Sequence, residues 1–383
     1  MHLGRVRKVV GVAVGVGVVV AVGAVLVLRA DDDRVWKIET RSGPDRLVAD
    51  DATVCGSDHQ QVVCLDAATG DELFRTPSTH LAAVLSMSEG TLLAGDVPED
   101  PKEDTNLRAY TRDGRELWRI SGNYAYDRPI PVVDGVAIVP ESRVRSIQGL
   151  DLSTGEPVWE TPYPAPQTDV DYEGPLLSGS TFTDGENVYA TLVGPERQLV
   201  ALDAATGTEL WKTTVDEFAS ASHVHQLHGI GGTDSIAAVV GPLVGEQRLL
   251  VIDRASGDVS AEVSLGERPA ALATVDGTIV VLTGEELRGY SPDGDELWTQ
   301  TVEVSEMTAD QETVLYSGRL LVVDDTLYLD TTGVWTIDPA TGERTGTVVD
   351  EGVGPFVATS ELIVIGDGCC PVPGYVEARR VGG

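Results

Sequence analysis

One phrase recurs along this chain, and no other feature restricts its fold as tightly. Residues 201–211 read ALDAATGTELW, and related phrases read CLDAATGDELF, AYTRDGRELW, GLDLSTGEPVW, VIDRASGDVSA, GYSPDGDELW and TIDPATGERTG. Aligned on their common glycine (Gly70, Gly114, Gly155, Gly207, Gly257, Gly294 and Gly342), they are spaced 44, 41, 52, 50, 37 and 48 residues apart. A period of about 45 residues is one supersecondary unit of four strands, stacked in series to bury a core that no unit can bury alone.

Each residue type in the phrase has a local reason. The run LVALD alternates apolar side chains and reads as a strand. The aspartate that ends it can accept hydrogen bonds from backbone amides of the turn that follows. Gly207 and its counterparts supply a positive φ, and TELWKT is the returning strand. Four residues after the glycine stands an aromatic ring in five copies: Phe74, Trp118, Trp159, Trp211 and Trp298. The other two copies have Ala261 and Gly346 there. A large ring at one fixed place per unit predicts packing between neighbouring units, the alternative being a cofactor-binding role. Two residues before the aspartate position the residue is mostly small: Ala109, Gly149, Ala201 and Gly289, with Cys64, Val251 and Thr336 the larger cases. It is read as making room for a neighbour's ring or backbone.

Two further strand-like runs precede each phrase, as in IPVVDGVAIVPE and ALATVDGTIVVLTG. The phrase thereby resembles the repeat of the pyrroloquinoline-quinone-type (PQQ-like) β-propellers, a group that includes quinoprotein alcohol dehydrogenases and the outer-membrane assembly scaffold BamB. The resemblance covers residues 35–383 and implies an all-β propeller of four-stranded antiparallel blades. It does not separate the group's scaffolds from its enzymes.

Seven phrases do not make seven blades. After the last one the chain continues with FVATSELIVIGDG and GYVEARRVGG, which read as three strands of an eighth unit. The fourth is expected at the other end, in RVWKIETR around Trp36. Pairing 35–40 with 374–381 would close an eight-bladed ring and remove its exposed edges. Trp36 then joins the blade-packing rings.

The leader sets the expected address. Residues 9–28 carry no charge, and Arg5, Arg7 and Lys8 precede them. That is long enough to span a bilayer as a helix, with a short basic N-terminus (1–8) in the cytoplasm, a linker (29–34) and the propeller (35–383) outside. A cleaved signal peptide is the alternative. Lys and Arg total 27 against 61 Asp and Glu, a net charge of −34, which argues against any nucleic-acid partner.

An outward address permits disulfides, and four cysteines allow three pairings. Cys55 and Cys64 flank one hairpin, Cys369 and Cys370 are adjacent, and those two local pairs are favoured over bridges between the regions. No H-E-x-x-H, G-x-S-x-G, P-loop or Cys-x-x-Cys motif occurs. His223, His225 and His228 form a weak metal candidate, with His223 and His225 expected on one strand face and His228 on the other. The acidic loop 95–106 and the proline-rich loop 161–175 are candidate surface features. The expectation is a non-catalytic, membrane-anchored scaffold for envelope or membrane proteins, with no cofactor. A PQQ- and Ca²⁺-dependent dehydrogenase and a small-molecule sensor ectodomain are the alternatives.

Overall fold

The computed structural model describes residues 34–40, 46–57, 61–77, 81–97, 105–122, 130–141, 146–163, 181–192, 198–214, 222–230, 233–242, 245–267, 269–303, 305–310, 313–317, 319–323, 325–331, 333–349, 356–359, 361–367 and 374–380. These residues form eight four-stranded antiparallel sheets and one extra hairpin. The span expected at 9–28 lies outside them. Among the described residues no helix is long and apolar enough to cross a membrane.

Blade 1 runs from its innermost to its outer strand through Arg46–Asp50, Thr53–Ser57, Gln61–Asp66 and Glu72–Pro77. Blades 2 to 7 repeat that order and begin at Leu81, Val132, Thr181, Ser222, Ala271 and Arg319. Blade 8 takes Phe356–Ala358, Leu362–Asp367 and Gly374–Arg380 from the end of the propeller and Arg34–Thr40 from its beginning. The expected closure is therefore present, with Trp36 opposite Ala378 and Lys37 opposite Glu377. The innermost strand of blade 1 touches those of both blade 2 and blade 8, so the ring is continuous. The hairpin Ser305–Asp310 and Thr313–Ser317 interrupts the passage from blade 6 to blade 7, a feature the repeat pattern did not anticipate.

The core is divided in the same way. Eight apolar clusters each join one pair of neighbouring blades. Second strands are sandwiched between two such clusters, which is why Thr278–Thr283 is buried at every position and reads as an unbroken apolar run.

Turn and ring act together at most junctions. In blade 4 the Asp203 carboxylate accepts from the Thr206 amide (2.8 Å) and hydroxyl (2.7 Å), and the Gly207 amide donates to the Asp203 carbonyl (2.8 Å). Gly207 takes φ +67°, and a Cβ there would stand 2.3 Å from the Trp159 ring of blade 3. The Trp159 indole N–H donates to the Ala204 carbonyl in the same turn (2.9 Å). Trp36, Trp118, Trp211 and Trp298 make the equivalent bond to Ala67, Leu152, Arg254 and Pro339 of the next blade, at 2.7–2.9 Å. The marker glycine thus has two constraints: a left-handed backbone, and no room for a side chain beneath the preceding blade's ring.

A β-bulge at one fixed place in the outer strand of all eight blades offsets the ring from regular pairing. The bulged residues include Val158, Leu210 and Leu297, each about half exposed. The small residue lies under its own blade's ring, which corrects the sequence-based placement beneath a neighbour. Ala109 pairs with Trp118, Gly149 with Trp159, Ala201 with Trp211 and Gly289 with Trp298. Where that residue is larger and the ring is missing, the sizes exchange: Val251 faces Ala261, and Thr336 faces Gly346. At the junction of blades 1 and 2, Phe74 packs on Gly114 but has no N–H to donate. Arg112 reaches back instead, donating to the Ala52 carbonyl and the Asp66 carboxylate, both at 2.8 Å.

Two predictions follow from these turns. Gly90 and Gly207 both have positive φ, but a Cβ at Gly90 meets nothing within 4 Å. Either glycine changed to alanine incurs about 1–2 kcal/mol of left-handed strain, and only Gly207→Ala adds about 1–3 kcal/mol of overpacking. Urea unfolding should separate the two variants by at least about 1 kcal/mol, and equal costs would contradict the ring contact. Hydrogen bonds also hold carboxylates low: chiefly the Ser153 hydroxyl for Asp151, the Thr206 hydroxyl for Asp203 and the Ser256 amide for Asp253. A carboxyl whose folded value is depressed stabilises above its unfolded value of about 4 and loses that contribution as pH falls through the folded one. The triple variant D151N/D203N/D253N should lose stability less steeply than the parent below pH 4; an identical acid limb would count against these bonds.

Candidate functional site

The two rims of the ring differ. On one, the turns are short and nearly constant. The first and second strands of each blade are joined by two to four residues, such as Asp134–Gly135 or Asp276–Gly277. The third and outer strands of blades 1 to 7 are joined by the phrase's own glycine turn, led by an aspartate in five blades and by Thr111 and Ser291 in blades 2 and 6. On the other rim the connections vary widely. Links from one blade to the next run from three residues (78–80) to eighteen (163–180), and the seventeen residues 302–318 include the extra hairpin. Turns from second to third strand run from two residues (284–285) to seven (98–104). A rigid frame with variable loops on one rim is the usual geometry of a recognition surface.

The topology brings most of the sequence-predicted candidates to this variable rim. The acidic stretch 95–106 contains the turn between Thr91–Val97 and Thr105–Thr111. The stretch 161–175 begins the link from blade 3 to blade 4, and Cys369 and Cys370 fall in the turn after Leu362–Asp367. Residues 98–104, 164–175, 369 and 370 lie outside the described residues, so the adjacent pairing of the cysteines does too. Cys55 and Cys64 are elsewhere: they are directly opposed on the second and third strands of blade 1 and joined by a disulfide, both fully buried. Cys64 holds the small-residue position and pairs with Phe74.

The three histidines lie on the innermost strand of blade 5, Ser222–Ile230. Their expected alternation is corrected by a bulge between Val224 and Gln226. His223 pairs with Gly241 and His228 with Ala237, an even number of residues apart, so these two share a register phase and His225 is the extra residue of the bulge. Among the described residues no group of three or more His, Cys, Asp or Glu is placed to hold a metal ion.

The sequence pattern missed a series of buried polar groups beneath the variable rim. Glu141, Ser146, Thr191, Thr283, Asp330 and Thr331 are all at most 5% exposed and lie at, or within one residue of, the ends of second and third strands. Tyr163 donates to the Ser146 carbonyl (2.9 Å); burial, with the Glu141 charge in support, drives its hydroxyl's pKa well above the usual phenol range. These residues stand at the ends of apolar runs, where a lone acid or hydroxyl reads as a turn residue. Glu141 in blade 3 and Asp330 in blade 7 are on opposite sides of an eight-membered ring and do not converge on one cation. The described residues therefore bring together no cluster for the Ca²⁺ of a quinone centre, and no catalytic step is derived through one. What they offer is hydrogen bonding on a fixed frame.

Comparison with known proteins places this geometry. Solved structures similar to it include BamB from Moraxella catarrhalis (TM-score 0.62, 14% identity, 91% of this chain and 99% of that one). Saccharomyces cerevisiae Sqt1 is also similar (TM-score 0.64, 12% identity, 92% and 100%). So is quinohemoprotein alcohol dehydrogenase ADHIIG from Pseudomonas putida HK5 (TM-score 0.61, 12% identity, 93% and 78%). At such identities these likenesses show the fold alone. Among curated proteins, serine/threonine-protein kinase AfsK of Streptomyces coelicolor is 29% identical over 165 residues; the match takes in 43% of this chain and spans only 18% of the kinase. The family model described as outer membrane protein assembly factor BamB, of the PQQ-like repeat group, matches residues 17–192 and 170–348, most of the ring, and the chain belongs to that family.

Proposed function

We propose that this protein is a non-catalytic scaffold that binds other proteins of the cell envelope through the variable rim of its propeller. Residues 9–28 anchor it in a membrane with the ring on the outer side. The observation that carries this reading is the asymmetry between the rims. One keeps short turns blade after blade, and six of its aspartate- or hydroxyl-led glycine turns receive a ring from the preceding blade. The other is released from that duty, and its connections range from two to eighteen residues. The Cys55–Cys64 disulfide fits an oxidising, extracytoplasmic setting. The body's net negative charge keeps it soluble and turns it away from nucleic acid.

Shortening 164–180 and replacing 98–104 by glycine–serine linkers, each in the full chain, should leave the melting temperature nearly unchanged and remove neighbours found by proximity labelling on intact cells. An unchanged set of neighbours would contradict the assignment of the rim. Addition of pyrroloquinoline quinone and Ca²⁺ to the purified protein should change neither its absorbance beyond that of the free quinone nor its melting temperature; a shift in both would favour the dehydrogenase reading instead.

A further inference from the structure

The eight junctions are not equally fastened. Between blades 7 and 8 both halves of the indole–turn contact are missing. The outer strand of blade 7 has Gly346 where a ring would stand, and a Cβ there would meet only Thr336 of its own blade. Blade 8 has no turn to receive a ring, because its third strand, Gly374–Arg380, and its outer strand, Arg34–Thr40, come from opposite ends of the propeller. The junction is held instead by an apolar cluster of Tyr328, Val334, Val349, Phe356, Ile363 and Ile365. Arg379 adds one bond from Nη1 to the Val348 carbonyl (3.2 Å).

The second strand of blade 7 puts a carboxyl group into this junction. Asp330 lies two residues beyond Tyr328, hence on the same strand face. It is 2% exposed, and its Oδ1 has no hydrogen-bond partner among the described residues. Arg319, exposed on the innermost strand, is directly opposite it, and its charge favours the ionised form. The third strand presents Val334, and blade 8 adds Phe356, Ile363 and Ile365. Its third strand turns Glu377 and Arg379, opposite Ile365 and Ile363, to the same side, where the buried Glu377 is ion-paired with Arg34, Lys37 and Arg379. Burial pushes the Asp330 pKa up to about 7, with Arg319 opposing the shift only in part.

We propose that the junction of blades 7 and 8 is the seam at which this ring opens, and that a proton on Asp330 holds it closed. The carboxyl is neutral and tolerated while the seam is shut in mild acid, and ionised and better solvated when the seam is open. A group whose closed-state pKa is raised from about 4 to about 7 stabilises the closed seam fully below pH 4 and loses that contribution as pH rises to 7. The seam is therefore tightened by acidification and is loosest from neutral pH upward. A partner that binds across blades 7 and 8 would sense this state, whereas one confined to blades 2 to 4 would not.

Hydrogen exchange of the full chain at pH 5, 6, 7 and 8, corrected for intrinsic rates, tests the seam. Protection of Thr326–Asp330 and Leu362–Asp367 should fall by up to about tenfold per pH unit from 5 to 7 and level off at 8. Strands at the indole-fastened junction of blades 4 and 5, Asn187–Leu192 and Ser235–Pro242, should hold their protection throughout. Asp330→Asn, nearly isosteric, should make seam protection independent of pH. The proposal is overturned if seam protection does not change with pH in the parent, if Asp330→Asn keeps the dependence, or if the ringless junction of blades 5 and 6 opens first.

Discussion

The structure depends on one contact used repeatedly: an indole from one blade set into the aspartate–glycine turn of the next. The contact joins a directional bond, N–H to carbonyl, to a steric fit that only glycine allows. A buried hydrogen bond contributes about 1 kcal/mol net, and removal of a packed tryptophan costs about 3–5 kcal/mol. A few such contacts therefore weigh heavily against the marginal stability of any domain. Each ring also ties its blade to a turn about 40 residues on in sequence, which turns a series of similar sheets into a ring.

Closure uses the same contact, with the chain order broken. Trp36 reaches Ala67 and Gly70 of blade 1 as Trp159 reaches Ala204 and Gly207 of blade 4. Glu377, buried beneath the closing strand, pairs with Arg34, Lys37 and Arg379 at 2.8–3.5 Å. Since Trp36 comes from the strand that begins the propeller, blade 8 has no turn to offer blade 7. Fastening blade 8 to blade 1 in this way leaves blade 7 and blade 8 as the seam. One topological choice thus accounts for both the indole closure of blade 8 on blade 1 and the missing turn beside blade 7.

The fold was readable because the fastener is local in sequence and repeated. Aspartate, glycine and ring fall within about ten residues, and their period gives the blade. The eighth blade was readable because its parts, Trp36 and GYVEARR, fit the same pattern once joined. Pairings that depend on register were harder to see. The small residue proved to lie under its own ring, and one bulge at His225 changed the phase of His228. The buried acids were invisible because Asp330 and Glu141 have neighbours in sequence like those of turn residues, and only the adjacent blade makes them buried. Loop length marked the variable rim, but loops follow no period, so their recognition chemistry leaves little trace in the sequence.

The central claim is that the strand around Trp36 shuts the ring. Its most direct test compares two truncations, one beginning at Arg34 and one at Arg41, by urea unfolding followed with hydrogen exchange. The account predicts that the first retains the parent's unfolding midpoint. The second should lose several kcal/mol, consistent with removal of a packed tryptophan and its strand, and its protection loss should begin in Gly374–Arg380 and blade 1. Equal midpoints for the two truncations, with Gly374–Arg380 still protected, would contradict it.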